Sequence, residues 1–452
     1  MKSHPDVSGA FRKELYDWRL WMTRGIVLAF AALAGLTVVG FTWLCEQALA
    51  HFHLMRGWQW WLPLVWTPLS TAAIVWLTRR YVPGAAGSGI PQVMASLAPG
   101  LAPPLRSIYV SIRLTLAKIV LTAWGLLAGL SLGREGPSVQ IAAGVMHNAR
   151  RWLPRNSGIS EHGLLVAGGA AGIAAAFNTP LGGIMFAIEE LSRKPEQRNN
   201  GLLMAAIILA GLMAVSVYGN ATYFGIIHVH PVRLSLFLPG LAVAVCCGLA
   251  GGLFARLLVV SLSGQSRDWV TAMRQRHPVR FAAVCGLVVA IIGELTLGAT
   301  FGSGYAQTRA ILEGTEGTTP LYLPFKFIAT WITTWSGVPA GIFAPSLAIG
   351  GALGNDIAQL TAHTDVSTLI ALGMVGFLAA VTQAPLTAFI IVMEMVDGHA
   401  LVLSLMACAL IASGISRLIS APLYPSLAEL QLLRLPEVQR PVRDAGGVSS
   451  RH

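Results

Sequence analysis

The stretch Ser131-Leu132-Gly133-Arg134-Glu135-Gly136-Pro137-Ser138 sets an arginine and a glutamate, bracketed by glycines and closed by a proline, between long apolar segments. A charge at such a place is costly and marks a site of function. The surroundings decide the class. Residues 25–45, 57–78, 163–188, 201–232, 234–255, 327–355, 366–393 and 398–416 contain no Asp, Glu, Lys or Arg. Each is as long as, or longer than, the roughly 20 residues of a membrane-spanning helix.

Composition agrees with that reading. Only 11% of the 452 residues are charged, against roughly a quarter in soluble domains, while 54% are hydrophobic. Mean hydropathy is +0.64. A large water-soluble enzyme is excluded, and the two-residue alternation of a β-barrel is absent. The chain reads as an all-α integral membrane protein. With 48 Gly and 24 Pro, the longer apolar stretches are expected to hold broken or re-entrant helices, which persist at membrane depth only where protein or a polar cavity satisfies the backbone.

The net charge of +11 is spread over loops, which fits topology determinants and anionic lipid rather than nucleic acid. Lys2, Arg12, Lys13, Arg19 and Arg24 precede the first apolar run, placing residues 1–24 in the cytoplasm by the positive-inside rule. That run begins too late and extends too far for a signal peptide. The same rule puts Arg193, Lys194 and Arg198, the segment with Arg267, Arg274, Arg276 and Arg280, and the tail 431–452 with Arg434, Arg440 and Arg443 on that side. Cys45, Cys246, Cys247, Cys285 and Cys408 lie in or beside apolar runs without metal-ligand spacing, and read as small hydrophobes.

Self-similarity is informative. Gly87-Ser88-Gly89 recurs 215 residues later as Gly302-Ser303-Gly304. Gly133-x-x-x-Pro137-Ser138 recurs after 208 as Gly341-x-x-x-Pro345-Ser346, and Pro180-Leu181 with Glu189 recurs after 205 as Pro385-Leu386 with Glu394. Three short matches in one order predict a transport domain over 25–430 made of two related halves, about 25–220 and 234–425. Proteins built this way bind substrate near midplane at the repeat interface.

Gly87-Ser-Gly-Ile-Pro91, Gly133-Arg-Glu-Gly-Pro137 and Gly341-Ile-Phe-Ala-Pro345 share a glycine that admits close backbone approach and a proline suited to a helix's first turn. Each reads as a helix N-terminus. Several converging within the bilayer would offer N–H donors and positive dipole ends to an anion without a full positive charge.

These motifs, with Pro422-Leu423-Tyr424 late in the chain, resemble the CLC family of chloride channels and proton/chloride antiporters. The resemblance covers roughly residues 25–430, with the signatures in order. It implies inverted-repeat halves of tilted and re-entrant helices, assembled as a homodimer with one pore per subunit. It makes Ser88 and Tyr424 hydroxyl donors to a central chloride, joined by the N–H groups of Ile342 and Phe343. Glu135 becomes the external gate, supported by Gly133, Arg134, Gly136 and Pro137, because a carboxylate at a helix N-terminus occupies the anion's own position and protonation releases it.

Glu190 matches the internal proton glutamate of the antiporters. Read without the family, Glu189 and Glu190 are a solvated helix end. Lys118, matching a family lysine near the internal proton path, must find an opposite charge in space. Arg134 is read either as a partner of backbone carbonyls or as a source of positive potential for the anion. Lys326 and Arg113 read as end-of-helix snorkelers. Gln92 stands where the family often has an acid and Ala340 where it often has glycine, and neither is expected to touch the site. Ser88 supports chloride, since proline there goes with nitrate preference in the family.

The expected function is secondary antiport of chloride against protons, with a passive voltage- or pH-gated chloride channel on the same frame as the alternative. No cofactor and no enzymatic reaction are expected. A membrane hydrolase of the zinc type would need HExxH, and a nucleotide-driven pump GxxxxGK[ST]; neither is present, and His51, His53, His228 and His230 favour loops and ends. Cytoplasmic termini without a signal peptide or large regulatory tail place the expected protein in a prokaryotic inner membrane.

Overall fold

In a computed structural model, residues 17–154, 157–192, 200–219, 224, 236–266, 268–314, 321–362, 365–396 and 398–435 are described. Lys2, Arg12, Lys13, Arg193, Lys194, Arg198, Arg267, His228, His230, Arg440, Arg443 and the tail from 436 lie outside them. The described chain is helical. Its elements are α1 (Trp18–Trp58), α2 (Leu62–Tyr81), α3 (Ile90–Ser96), α4 (Pro103–Tyr109), α5 (Ile112–Leu127), α6 (Glu135–Asn148) and α7 (Glu161–Phe177). Then come α8 (Pro180–Phe186) with a π-turn over Ala187–Leu191, α9 (Asn200–Tyr218), α10 (Phe237–Ser263), α11 (Trp269–Arg276), α12 (Pro278–Leu295) and α13 (Tyr305–Leu312). The last six are α14 (Tyr322–Ser336), α15 (Phe343–Leu360), α16 (Val366–Thr382), α17 (Pro385–Met395), α18 (Val402–Arg417) and α19 (Leu423–Leu433).

Among the described residues, five helical stretches are long and apolar enough to cross a membrane. The first apolar run reaches further than its charge-free core suggests. At 41 residues, α1 is about 60 Å long, twice the roughly 30 Å of a hydrocarbon core. It begins at Trp18, inside the segment expected as a separate cytoplasmic arm, where Asp17 Oδ1 accepts from the Arg19 N–H at 3.0 Å.

Three of the over-long charge-free stretches are broken, as their length leads one to expect. Run 163–188 divides at Asn178 and run 366–393 at Gln383, both in left-handed backbone with φ 58° and 59°. A proline two residues on then starts the next helix at N1, where its missing N–H costs nothing. Run 327–355 divides at Gly337, φ 92°.

Helices α6, α7, α15 and α16 are buried nearly all round, so small residues pack them. A Cβ on Gly172 would stand 2.5 Å from the Ser138 carbonyl oxygen, and one on Gly168 2.8 Å from the Ala143 Cα. This is the small-residue contact by which membrane helices approach closely. By contrast α1, α9 and α10 expose Leu33, Leu36, Trp43, Leu212 and Leu249 on their outer faces.

Contacts between distant segments follow the sequence offsets. Gly133 and Gly341 pair as an antiparallel bridge, Gly133 N–H to Gly341 O at 2.8 Å and Gly341 N–H to Gly133 O at 3.0 Å. Glu189 accepts from the N–H groups of Leu386 and Thr387 at 3.2 and 2.6 Å. Glu394 accepts from those of Leu181 and Gly182 at 3.2 and 2.7 Å. Each glutamate therefore caps the first turn of the other's partner helix, α17 or α8, so Glu189 is more than a solvated terminus. Glu394→Ala removes a charged cap, and a thermal melt should show a loss of about 1–2 kcal/mol. Unchanged melting would mean water replaces the cap at no cost.

Lys326 overturns its reading as a snorkeler. It is fully buried, because its Nζ donates to the carbonyls of Thr300 and Gly302 at 3.0 and 2.8 Å. Lys118, 208 residues earlier, donates to the carbonyls of Ala85 and Gly87 at 2.8 and 2.6 Å. The opposite charge expected for Lys118 is thus replaced by two carbonyl dipoles. Arg113 is exposed at the start of α5, as a snorkeler would be.

Candidate functional site

Three helix N-termini meet in the interior: α3 after Gly89, α6 at Glu135 and α15 at Phe343. First-turn amides have no partner within their own helix, so the meeting point is rich in donors. The Gly133–Gly341 bridge joins the chain just ahead of α6 to that just ahead of α15. A Cβ on Gly341 would lie 2.7 Å from the Gly133 oxygen and 2.9 Å from Pro137 Cδ. The backbones are in contact there.

Glu135, first residue of α6, is fully buried. Its Oε2 accepts from the Ala344 N–H at 3.3 Å, which sets the carboxylate at the start of α15, where a dipole end favours negative charge. Gly133 makes this possible, since a Cβ there would run into Oε2 and stand 3.0 Å from Pro345 Cδ. Ile342 is the N-cap of α15 and Phe343 its first residue. The carboxylate is held one residue beyond them.

Ser88 comes from the loop before α3, with its Oγ packed against Gly136, where any Cβ would collide with it. Tyr424 comes from the first turn of α19. Its ring stacks on Phe343, centroids 5.9 Å apart and planes 12° apart. Its hydroxyl interacts with Ser88 and lies within electrostatic reach of Glu190 and Glu135. Among the described residues, Ser88 Oγ, Tyr424 Oη and Glu135 Oε1 are buried with no hydrogen-bond partner of normal geometry. Such orphans need an explanation, and two hydroxyls with a ring of helix N-termini are a donor set suited to an anion.

The loop carrying Ser88 is held tightly. Lys118 takes the carbonyls of Ala85 and Gly87. Gln92 Oε1 accepts from the Gly89 N–H at 3.0 Å while its Nε2 donates to the Ala86 carbonyl. The Ala340 N–H donates to Gly87 O at 3.2 Å. Gln92 and Ala340, expected to stand apart from the site, thus shape the turn that presents its serine. The missed signal at Gln92 was its place at N3 of a helix that opens on glycine, where a side-chain carbonyl reaches back to the cap.

Arg134 pairs with Glu46 at 2.8 Å and also donates to the Thr42 carbonyl at 3.3 Å. Both bonds leave its charge next to Glu135, with a cavity of about 430 Å³ alongside, lined among others by Glu46, Arg56, Ser303 and Gly304. Glu190 is buried in the π-turn after α8. It lines an open cavity of about 1120 Å³ together with Glu189, Gln383, Arg417 and Pro422. The cysteines are all free, and four of the five are buried.

Known proteins are similar to this chain in sequence and in fold. A chloride/proton exchange transporter, ClcA, of Klebsiella pneumoniae subsp. pneumoniae is 30% identical over 430 residues, covering 89% of this chain and 87% of the relative. The crystal structure of a slow cyanobacterial chloride/proton antiporter superposes with a TM-score of 0.75 at 23% identity, over 91% of this chain and 98% of that one. That of a CLC-type fluoride/proton antiporter gives 0.74 at 22% identity, over 91% and 98%. These two share the fold. The family model described as voltage gated chloride channel matches residues 70–417, and the chain belongs to that family.

Proposed function

We propose that this chain exchanges chloride for protons across the membrane, with Glu135 as the gate shared by both ions and Glu190 as the internal proton acceptor. The observation that carries the reading is the Glu135 carboxylate, fully buried at the start of α15 beside the buried hydroxyls of Ser88 and Tyr424. An anion bound by Ser88, Tyr424 and the N–H groups of Ile342 and Phe343 would compete with that carboxylate for the same positive dipole end. Protonation neutralises Glu135, weakens its bond to the Ala344 N–H and frees the position. One group then alternates between proton and chloride.

Tyr424 supports the link between the two acids, since its hydroxyl feels both Glu135 and Glu190. The open cavity beside Glu190 gives that residue a water route to one side. Lys118, Gly133, Arg134, Gly136, Pro137 and Glu189 position the site. The cycle uses no cofactor. Similarity to the Klebsiella protein, an exchange transporter, favours exchange over passive conduction. We also infer two related halves, about 25–220 and 234–425, a homodimer with one pathway per subunit, and a prokaryotic inner membrane with both termini cytoplasmic.

The test is simultaneous proton and chloride flux in liposomes. A chloride gradient is expected to drive protons uphill with the native chain, and a native chain that passes chloride without pumping would establish the channel reading. Glu190→Gln is expected to carry chloride, retain chloride binding and lose pumping. Loss of chloride binding in that variant would give Glu190 a structural role.

A further inference from the structure

The structure gathers three arginines far apart in sequence at one face, where α2, α10, α14 and α19 end. Arg274, on the short helix α11, donates from Nε to the Trp335 carbonyl at 3.2 Å and from Nη1 to that of Ser261 at 3.0 Å. Arg434, just after α19, reaches the Leu262 carbonyl at 3.5 Å. Arg79 lies in the last turn of α2. Each acts electrostatically on the others: Arg274 feels Arg434 and Arg79, and Arg434 feels Arg79. Among the described residues no ion pair brings a carboxylate to any of them.

Helix C-terminal carbonyls account for part of this arrangement. A C-terminus carries about half a negative charge, so the ends of α2, α10, α14 and α19 offset only about two of three full positive charges. They also occupy three of the donors, while each guanidinium has five N–H groups in a planar fork. Burial, and then the charge of Arg434, pulls the Arg274 guanidinium down to about 10. Arg274 is half-buried while Arg79 and Arg434 are exposed, so the cluster presents a positive patch that an anion can reach from outside.

The level of the cluster narrows the choice. Trp76 and Tyr81 of α2 are exposed and meet edge to face, centroids 6.0 Å apart. Trp269 at the start of α11 is 75% exposed. Exposed Trp and Tyr at helix ends mark the membrane–water interface, the depth of phospholipid headgroups.

We propose that Arg79, Arg274 and Arg434 form a binding site for an anionic phosphate group at this interface. Planar guanidinium forks match phosphate oxygens two at a time. The phosphate of an anionic phospholipid reaches this depth directly, and a soluble phosphate would bind by the same contacts. The site lies apart from the transport residues and does not depend on the proposed exchange.

The full chain in detergent is melted with phosphatidylcholine, with phosphatidylglycerol, and with phosphatidylcholine plus inorganic phosphate. Phosphatidylglycerol is expected to raise the melting temperature of the native chain above that in phosphatidylcholine. The double variant Arg79→Gln/Arg434→Gln, which leaves the Arg274 caps intact, is expected to lose most of that rise, and Arg113→Gln to keep it. A rise with inorganic phosphate that the double variant loses would identify a free anion as the natural occupant of the same site. Native mass spectrometry of retained phosphatidylglycerol repeats the comparison independently of stability, with fewer lipids on the double variant. A native chain indifferent to both phosphates, or a double variant that responds and retains lipid as the native chain does, overturns the site.

Discussion

Glu135→Gln is expected to carry chloride through liposomes in both directions and to pump no protons under any chloride gradient. The side chain keeps its shape and an oxygen that can accept from the Ala344 N–H, now 3.3 Å from Oε2. It loses its charge and the ability to hold an exchangeable proton. A hydrogen bond to a charged group is worth about 1.5–3 kcal/mol net against about 1 for a neutral one, so chloride should win the position several-fold more easily. Proton coupling should fall to background, because the neighbouring acid, Glu46, is already paired with Arg134. A pH electrode and a chloride electrode on one liposome preparation read both quantities. Uphill proton movement in this variant would remove Glu135 from the gate.

The second large effect is expected from a single methyl group. In Gly341→Ala the new Cβ would lie 2.7 Å from the Gly133 oxygen, 3.0 Å from its carbonyl carbon and 2.9 Å from Pro137 Cδ. These are backbone and ring atoms, and they cannot swing aside. Overpacking of this kind costs about 1–3 kcal/mol, and separating the two bridge bonds adds about 0.5–1.5 kcal/mol each. Since the bridge joins the approaches to α6 and α15, the Glu135 carboxylate should move off the Ala344 N–H. Melting should fall by several degrees, with chloride flux reduced. Gly414→Ala is the control: nothing lies within 4 Å of its Cβ position, and in the last turns of α18 it should gain up to about 1 kcal/mol from helix propensity. Equal melting of the two variants would show that the glycine contact carries no energy.

Much of the site was legible because its chemistry is local. Gly87 to Pro91, Gly133 to Pro137 and Gly341 to Pro345 announce helix starts by a permissive glycine and a proline without an N–H, and the helices do begin at Ile90, Glu135 and Phe343. The breaks at Asn178 and Gln383 each precede a proline that starts the next helix. Long-range partners were not legible. Lys326 is flanked by Phe325 and Phe327, which suits a snorkeling side chain, and only folding brings the Thr300 and Gly302 carbonyls to it. Glu189 looks solvated until α17 supplies the N–H groups of Leu386 and Thr387. Gln92 gives no sign in the sequence because its role is to hold a turn, a task that composition does not display. Arg79, Arg274 and Arg434 meet from the end of α2, from α11 and from just after α19, a proximity no spacing predicts.

The crossed glutamates also constrain the birth of the molecule. The amide groups of Leu181 and Gly182 are capped by Glu394, more than two hundred residues downstream. During synthesis the start of α8 therefore waits, uncapped, for most of the second half to emerge and insert. Glu189 can complete its own bonds only when α17 arrives. Neither half expressed alone can finish these helix starts, whereas two halves supplied as separate chains hold every group needed to finish each other. A ribosome arrested before Glu394 would therefore leave the start of α8 without its cap.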